Sequence, residues 1–379
     1  MNTERTLLAA TTLLVTACTI PEAFLAARPA TAVNTDEAGR KVVEASPQPD
    51  GTPQAIQPEN LGYLVMNGLA RTLERVAPGG SEVTRLFETG LYPNQLVRIG
   101  SNLLTVESGD ATLAVGPADG ARVARRISLE VGFNPMEVIG TRPDEVLVTS
   151  VVRKQALLVR LSDGTTLRTL DLPDGHQSQG GVTRLDNRLY LAAADVTYDA
   201  DWNATTTWSG IHVYDIDTGA FLAPIVLPTD ETPWAIATLP GKKIVVGTQS
   251  GATIIDPANG NVVARIDAKA RLASFATDGD GKAWAGLGAA TDGSSQGRGL
   301  IRFDPASGTV LKDSRRDWTI DTGDSSASRL AIEGNVAWLP NFAEDKVTTL
   351  DLAKGSVIRR TNVGDGPQMV LPEPQDAGE

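Results

Sequence analysis

The sequence predicts an all-β protein, a seven-bladed β-propeller whose ring is closed by a C-terminal strand completing the first blade. Two observations carry that expectation. A short apolar run, a Gly-containing turn and a second apolar run recur seven times, the turns reading APGG, PADG, LSDG, IDTG, PANG, PASG and LAKG. They close at Gly80, Gly120, Gly164, Gly219, Gly260, Gly308 and Gly355, about 40 to 55 residues apart, which is the length of one four-stranded blade. Between the turns lie runs of about 4 to 8 residues rich in Val, Ile, Leu and Thr, bounded by Gly, Asn, Asp and Pro, with no sustained helical period.

Each unit repeats one internal order. In the second unit the expected strands are Gln95–Ile99, Leu103–Glu107, Ala111–Val115 and Ala121–Leu129; in the third they are Met136–Ile139, Glu145–Ser150, Ala156–Leu161 and Thr165–Leu172. Later units continue with Ile244–Gly247 and Ala252–Asp256, then Ala283–Gly286 and Gly299–Asp304. A four-stranded sheet cannot bury both faces alone, and radial stacking solves that by packing each face on a neighbour.

The ends sharpen the reading. The first unit starts at Leu61–Val65, which matches the second strand of other units, so it lacks an innermost strand. The last unit is complete and is followed by Gln368–Leu371, an extra strand expected to pair with Leu61–Val65 and close the ring.

The entry to the innermost strand recurs as Thr89-Gly90-Leu91-Tyr92-Pro93, Val131-Gly132-Phe133-Asn134-Pro135, Glu231-Thr232-Pro233 and Val363-Gly364-Asp365-Gly366-Pro367. On this turn and Gly-x-x-Pro spacing, residues 60–371 resemble the YVTN-type seven-bladed propeller repeats of bacterial envelope proteins. The resemblance implies the fold and says almost nothing about function.

At the N-terminus, Arg5 precedes an apolar or small run from Thr6 to Ala17, too short for a permanent membrane span. It ends in Val15-Thr16-Ala17-Cys18, which resembles the lipobox of bacterial lipoprotein signal peptides, although Glu4 offsets the charge of Arg5. The resemblance implies that Cys18, the sole cysteine, becomes a lipidated mature N-terminus in the cell envelope, on the outer membrane of a two-membrane cell. An ordinary signal peptide cut nearby is the alternative. Pro21, Pro29, Pro47, Pro49, Pro53 and Pro58 interrupt the polar segment that follows, which reads as a tether. The expected organisation is therefore a signal peptide at 1–17, a lipid-anchored linker at 18–58, the propeller at 59–371 and an acidic tail at 372–379.

A net charge of −12 opposes nonspecific attraction to nucleic acid and to anionic lipid headgroups. Membrane contact is expected through the anchor only, and the partner is expected to be an envelope protein or a small ligand.

Propeller ligands bind mostly at the mouth of the central channel. Two connections there exceed what the repeat requires, Asp195–Ser209 and Leu287–Arg298, and both fall on the same face by topology. The candidate ligand- or partner-binding residues are Tyr198, Asp199, Asp201, Trp202 and Trp208 of the first, with Asp230, Glu231 and Trp234 nearby. Tyr92, Phe133, Asn134, His176, Asp324 and Asp365 are placed on the same rim. Carboxylates gathered there favour a cation or a basic peptide, although a chain with 46 acidic residues places them on every face.

Calcium is the one cofactor the sequence raises. Asp199-x-Asp201-x-Asn203 opens like a calcium loop, then departs from it: Ala204 replaces the Gly and Gly210 stands where the bidentate Glu belongs. A solvated polar loop with two packing tryptophans is the competing reading. Asp278-Gly279-Asp280-Gly281 reads as hairpin turn chemistry.

The chain holds two histidines: His212 alternates with Ile211 and Val213 in a strand, and His176 sits in a Gly/Gln-rich loop with no nucleophile or metal-ligand partner beside it in sequence. No Gly-x-Ser-x-Gly, His-Glu-x-x-His, P-loop or dinucleotide fingerprint occurs. A binding or interaction scaffold is the leading functional expectation. The alternative is a lactonase-like or metal-dependent propeller hydrolase, whose site residues come singly from separate blades and leave no spacing to read.

Overall fold

A computed structural model describes residues 61–151, 153–198, 204–290, 299–317 and 329–373. The expected signal peptide, the linker and most of the acidic tail lie outside these residues, as do Asp199, Asp201, Trp202 and Asp324.

Seven antiparallel sheets form the ring, one per expected unit. Blade 1 runs outward as Pro367–Pro372, Tyr63–Asn67, Thr72–Val76 and Val83–Glu88. Blades 2 to 7 begin at innermost strands Pro93–Ile99, Pro135–Arg142, Gln177–Leu185, Ile236–Leu239, Ala270–Thr277 and Ala331–Glu333, and each then steps outward in sequence order. Neighbouring innermost strands touch around the whole ring, which defines a central channel.

Closure occurs as expected, with the first blade's second strand beginning two residues later, at Tyr63. Val65 pairs with Val370 and Leu64 with Leu371, and the register extends from Tyr63 to Asn67. Loss of one innermost strand at the N-terminus is thus made good by the other end of the chain.

All seven turn glycines hold a left-handed backbone, with φ from 66° at Gly80, Gly219 and Gly355 to 78° at Gly164. A side chain is disfavoured at such angles, and that explains a glycine at the same place in every blade. In blades 4 to 7 the turn is also tied down by an Asp. Asp215, Asp256, Asp304 and Asp351 each accept from backbone N–H groups two or three residues ahead.

The apolar core is divided into layers between blades. Leu104, Val115, Val138 and Leu157 fill the space between blades 2 and 3. Leu191, Tyr214, Leu158 and Leu170 do so between blades 3 and 4, and Ile254, Leu272 and Phe303 between blades 5 and 6. Every blade therefore depends on two neighbours, and the ring on its seam.

The first long connection is largely strand, contrary to the loop expected at Asp195–Ser209. Strands Arg188–Tyr198 and Ala204–Asp215 pair Asp195 with Trp208, Val196 with Thr206 and Thr197 with Thr205. β-Branched Val196, Thr197, Thr205 and Thr206 favour an extended backbone and pair across the ladder, with Thr207 the extra residue where the register shifts. The second connection likewise begins as strand up to Ala290.

Candidate functional site

The face of interest is built from the turns entering the innermost strands and the hairpins joining second to third strands. At two entry turns the Gly-x-x-Pro pattern sets the third residue in a left-handed conformation, Tyr92 at φ 47° and Asn134 at φ 50°. Phe133 does not reach the rim. It is 0% exposed within the layer between blades 2 and 3, because the turn folds its ring inward while Asn134 takes the strained position.

Several acids of the propeller, Glu231 of the expected rim among them, act as latches. Glu107, fully buried, accepts from the Gly90 N–H at 2.7 Å, the Thr112 hydroxyl at 2.6 Å and Arg126 at 3.1 Å. Glu231 latches blade 5 in the same way, accepting from Thr253 at 2.5 Å and Arg265 at 2.6 Å. Its charge is thereby paired with that of Arg265. Asp278 also exceeds turn chemistry: it is buried and accepts from the Trp284 indole at 2.8 Å and from Arg302 at 2.9 Å. Asp230 remains exposed.

The extended blade 4 hairpin is braced against the turn entering blade 5. The Thr206 and Thr232 hydroxyls lie 3.1 Å apart, and the Ser209 hydroxyl donates to the Glu231 carbonyl at 2.9 Å. The structure thus brings the third strand bearing Trp208 together with the segment carrying Asp230 and Glu231. Tyr198 stands at the far end of that hairpin, paired with Ala204.

Three rings gather on this hairpin. Trp208 stacks on His176 with centroids 3.7 Å apart, and His212 stacks beyond it. His176 Nδ1 and His212 Nε2 are 3.3 Å apart, so the two histidines share one hydrogen-bonding contact. His176 therefore does have an imidazole neighbour, which sequence spacing hid: its loop enters blade 4, and His212 sits on the third strand of that blade. His212 is 0% exposed, and its Nδ1 has no partner among the described residues. Burial, and then the neighbouring His176, draw its pKa down to about 4, so it is a neutral packing group near pH 7. No group of three His, Cys, Asp or Glu among the described residues has metal-binding geometry, so the pair lacks the third donor a closed metal site needs.

At the channel mouth, Arg329 at the entry to blade 7 reaches Glu137 on the innermost strand of blade 3 at 2.7 Å. Glu137 also accepts from the Val182 N–H at 3.0 Å. Around the ring, Trp234 carries the Arg271 guanidinium 4.4 Å from its ring centroid. Arg271 has no carboxylate partner among the described residues, and burial lowers its pKa. Nothing in the local sequence marks Arg271, since its setting comes from two neighbouring blades.

Solved structures similar to this chain share the propeller. The dihydro-heme d1 dehydrogenase NirN, solved in complex with DHE, is 14% identical with a TM-score of 0.55, over 85% of this chain and 77% of its own. Apo AztD from Citrobacter koseri is 12% identical with a TM-score of 0.54, over 84% and 98%. Hydrazine synthase from Kuenenia stuttgartiensis is 16% identical with a TM-score of 0.57, over 73% and 88%. At such identities the likeness establishes the fold alone. No family model matches the sequence, and a search of curated proteins gives no match.

Proposed function

We propose that this chain is an envelope lipoprotein, anchored through Cys18, whose YVTN-type propeller binds a partner or small ligand on the face that carries the blade 4 hairpin. One observation carries the reading. The hairpin strands Arg188–Tyr198 and Ala204–Asp215 run 11 and 12 residues, against 6 for each of the equivalent strands in blades 2 and 3. A rigid, braced projection with Trp208 at its base is costly to keep for ring stability alone, because the added strand lies beyond the inter-blade core. Exposed apolar side chains on neighbouring entry turns support the same face, Leu91 at 39% and Val131 at 94% exposure.

The test is capture from envelope extract with the wild type beside a chain carrying Trp202→Ala and Trp208→Ala. Loss of a specific partner in the variant is expected, and equal recovery removes the hairpin from the proposal. Metabolic palmitate labelling checks the anchor separately: label present in the wild type and lost in Cys18→Ser supports it, and an unlabelled wild type refutes it.

A further inference from the structure

Several arginines on this propeller are neutralised by acids. Arg126 pairs with Glu107, Arg265 with Glu231, Arg302 with Asp278, Arg315 with Asp313 and Arg329 with Glu137. Arg271 has no carboxylate partner among the described residues and instead lies on an aromatic ring. It lies at the start of the blade 6 innermost strand, partly buried, with its guanidinium stacked on Trp234 and one Nη2 hydrogen bond to Gln249 Oε1 at 3.3 Å. The remaining guanidinium N–H groups have no acceptor among the described residues.

Trp234 has the matching defect. Its indole N–H is buried and has no hydrogen-bond partner among the described residues. The backbone around it is well tied, with the Trp234 N–H donating to the Gly247 carbonyl at 2.9 Å and the Gly247 N–H returning to Ala235 at 2.8 Å. The ring is therefore held in place while its indole N–H goes without an acceptor among the described residues. A desolvated cation without an anion and a buried donor without an acceptor each cost free energy, and both sit in one contact pair.

We infer that Arg271, Trp234 and Gln249 form a carboxylate-binding subsite at the channel mouth between blades 5 and 6. The geometry selects the ligand class. Trp234 covers one guanidinium face, so a ligand reaches Arg271 through its edge, where parallel N–H groups match the two oxygens of a carboxylate. The orphaned indole N–H donates a further bond, and Gln249 has a carboxamide NH2 to offer because its oxygen is turned to Arg271. A single positive charge balances a carboxylate, whereas a phosphate dianion would keep an uncompensated charge. On this part of the rim the charge of Glu231 is paired with Arg265, and Arg271 offers a cation with no carboxylate partner among the described residues. It deepens the binding-face proposal by naming the ligand chemistry, while using residues separate from the blade 4 hairpin.

The experiment follows the indole N–H resonances of the full chain, labelled with nitrogen-15 in its six tryptophans, with the Trp234 signal assigned by its loss in Trp234→Phe. Acetate and, separately, inorganic phosphate are titrated at constant ionic strength and neutral pH. Acetate is expected to shift the Trp234 signal saturably, with affinity falling about tenfold or more in Arg271→Gln and less in Arg271→Lys. Thermal melts of both variants check that they fold; if Arg271→Gln does not, Arg271→Lys and Trp234→Phe decide, the latter read by the thermal shift on adding acetate. A Trp234 signal unmoved by acetate, or equal affinity in a folded Arg271 variant, overturns the subsite. Tighter binding of phosphate than acetate overturns the carboxylate assignment. Partner capture by the hairpin is read independently, so failure of one experiment is distinguishable from failure of the other.

Discussion

Removing residues 367–379 takes away the innermost strand of blade 1. The missing strand carries Val370, which is 2% exposed, and Met369 and Leu371, which pack on Leu64, Met66, Leu73, Leu96 and Leu103. Burial of Val370 contributes about 2 kcal/mol, and the two half-buried side chains together about as much again. The backbone ladder from Tyr63 to Asn67 adds roughly 1 kcal/mol net per bond. Two anchors beyond the ladder are lost as well, the Arg75–Glu373 ion pair at 2.7 Å and the Arg98 bond to the Pro372 carbonyl at 2.6 Å. The total is on the order of 8 kcal/mol, comparable to the whole net stability of an ordinary domain. Deletion also opens the seam, where the ring of Tyr63 lies 6.0 Å from that of Trp338 in blade 7. Urea unfolding followed by tryptophan fluorescence and far-UV dichroism reads the effect. The truncated chain should lack a cooperative transition, while Val370→Ala in the full chain should lower stability by about 1–2 kcal/mol. A truncated chain unfolding at the wild-type urea midpoint would refute the argument that the ring depends on its seam.

Two further outcomes follow from single buried groups. His212 has a folded pKa of about 4, below the 6.5 of a free imidazole, so the unfolded chain binds more protons between those values. Its contribution is complete above about pH 6.5 and is lost as the pH falls toward 4, on the order of 3 kcal/mol in all. The stability difference between wild type and His212→Phe should therefore narrow or reverse from about pH 7.5 to about pH 4.5, and a difference independent of pH contradicts the assignment. Glu107→Gln should cost about 2–3 kcal/mol in urea unfolding, because it weakens charge-assisted bonds to Gly90, Thr112 and Arg126 at a fully buried position. An unchanged midpoint would show that the latch is dispensable.

Much of the ring was legible as sequence because its signals are local. Gly80 through Gly355 are needed where the backbone turns left-handed, and the alternating Val, Ile and Leu between them need two buried faces. Even the closing strand could be read, since a missing strand at one end and an extra one at the other are both visible along the chain. Errors arose where a local signal served two ends. Thr205 and Thr206 read as polar loop and formed strand, because their partners Thr197 and Val196 across the hairpin supply the ladder that solvent would otherwise satisfy. Phe133 read as rim and became core, because one turn residue chooses between solvent and the neighbouring blade only when that blade is present.

The sequence by itself determined the blade count, the strand order and the closure of the ring, all of which follow from period, turn chemistry and backbone preference. The site was decided by tertiary structure. His176 meets His212, Arg329 meets Glu137 and Arg271 settles on Trp234 through the stacking of separate strands and blades, across separations that no spacing rule connects. Whether a charge is neutralised depends on what a neighbouring strand or blade places beside it. Glu231, expected on an acidic rim, is paired with Arg265, while Arg271, unmarked in the sequence, lies on Trp234.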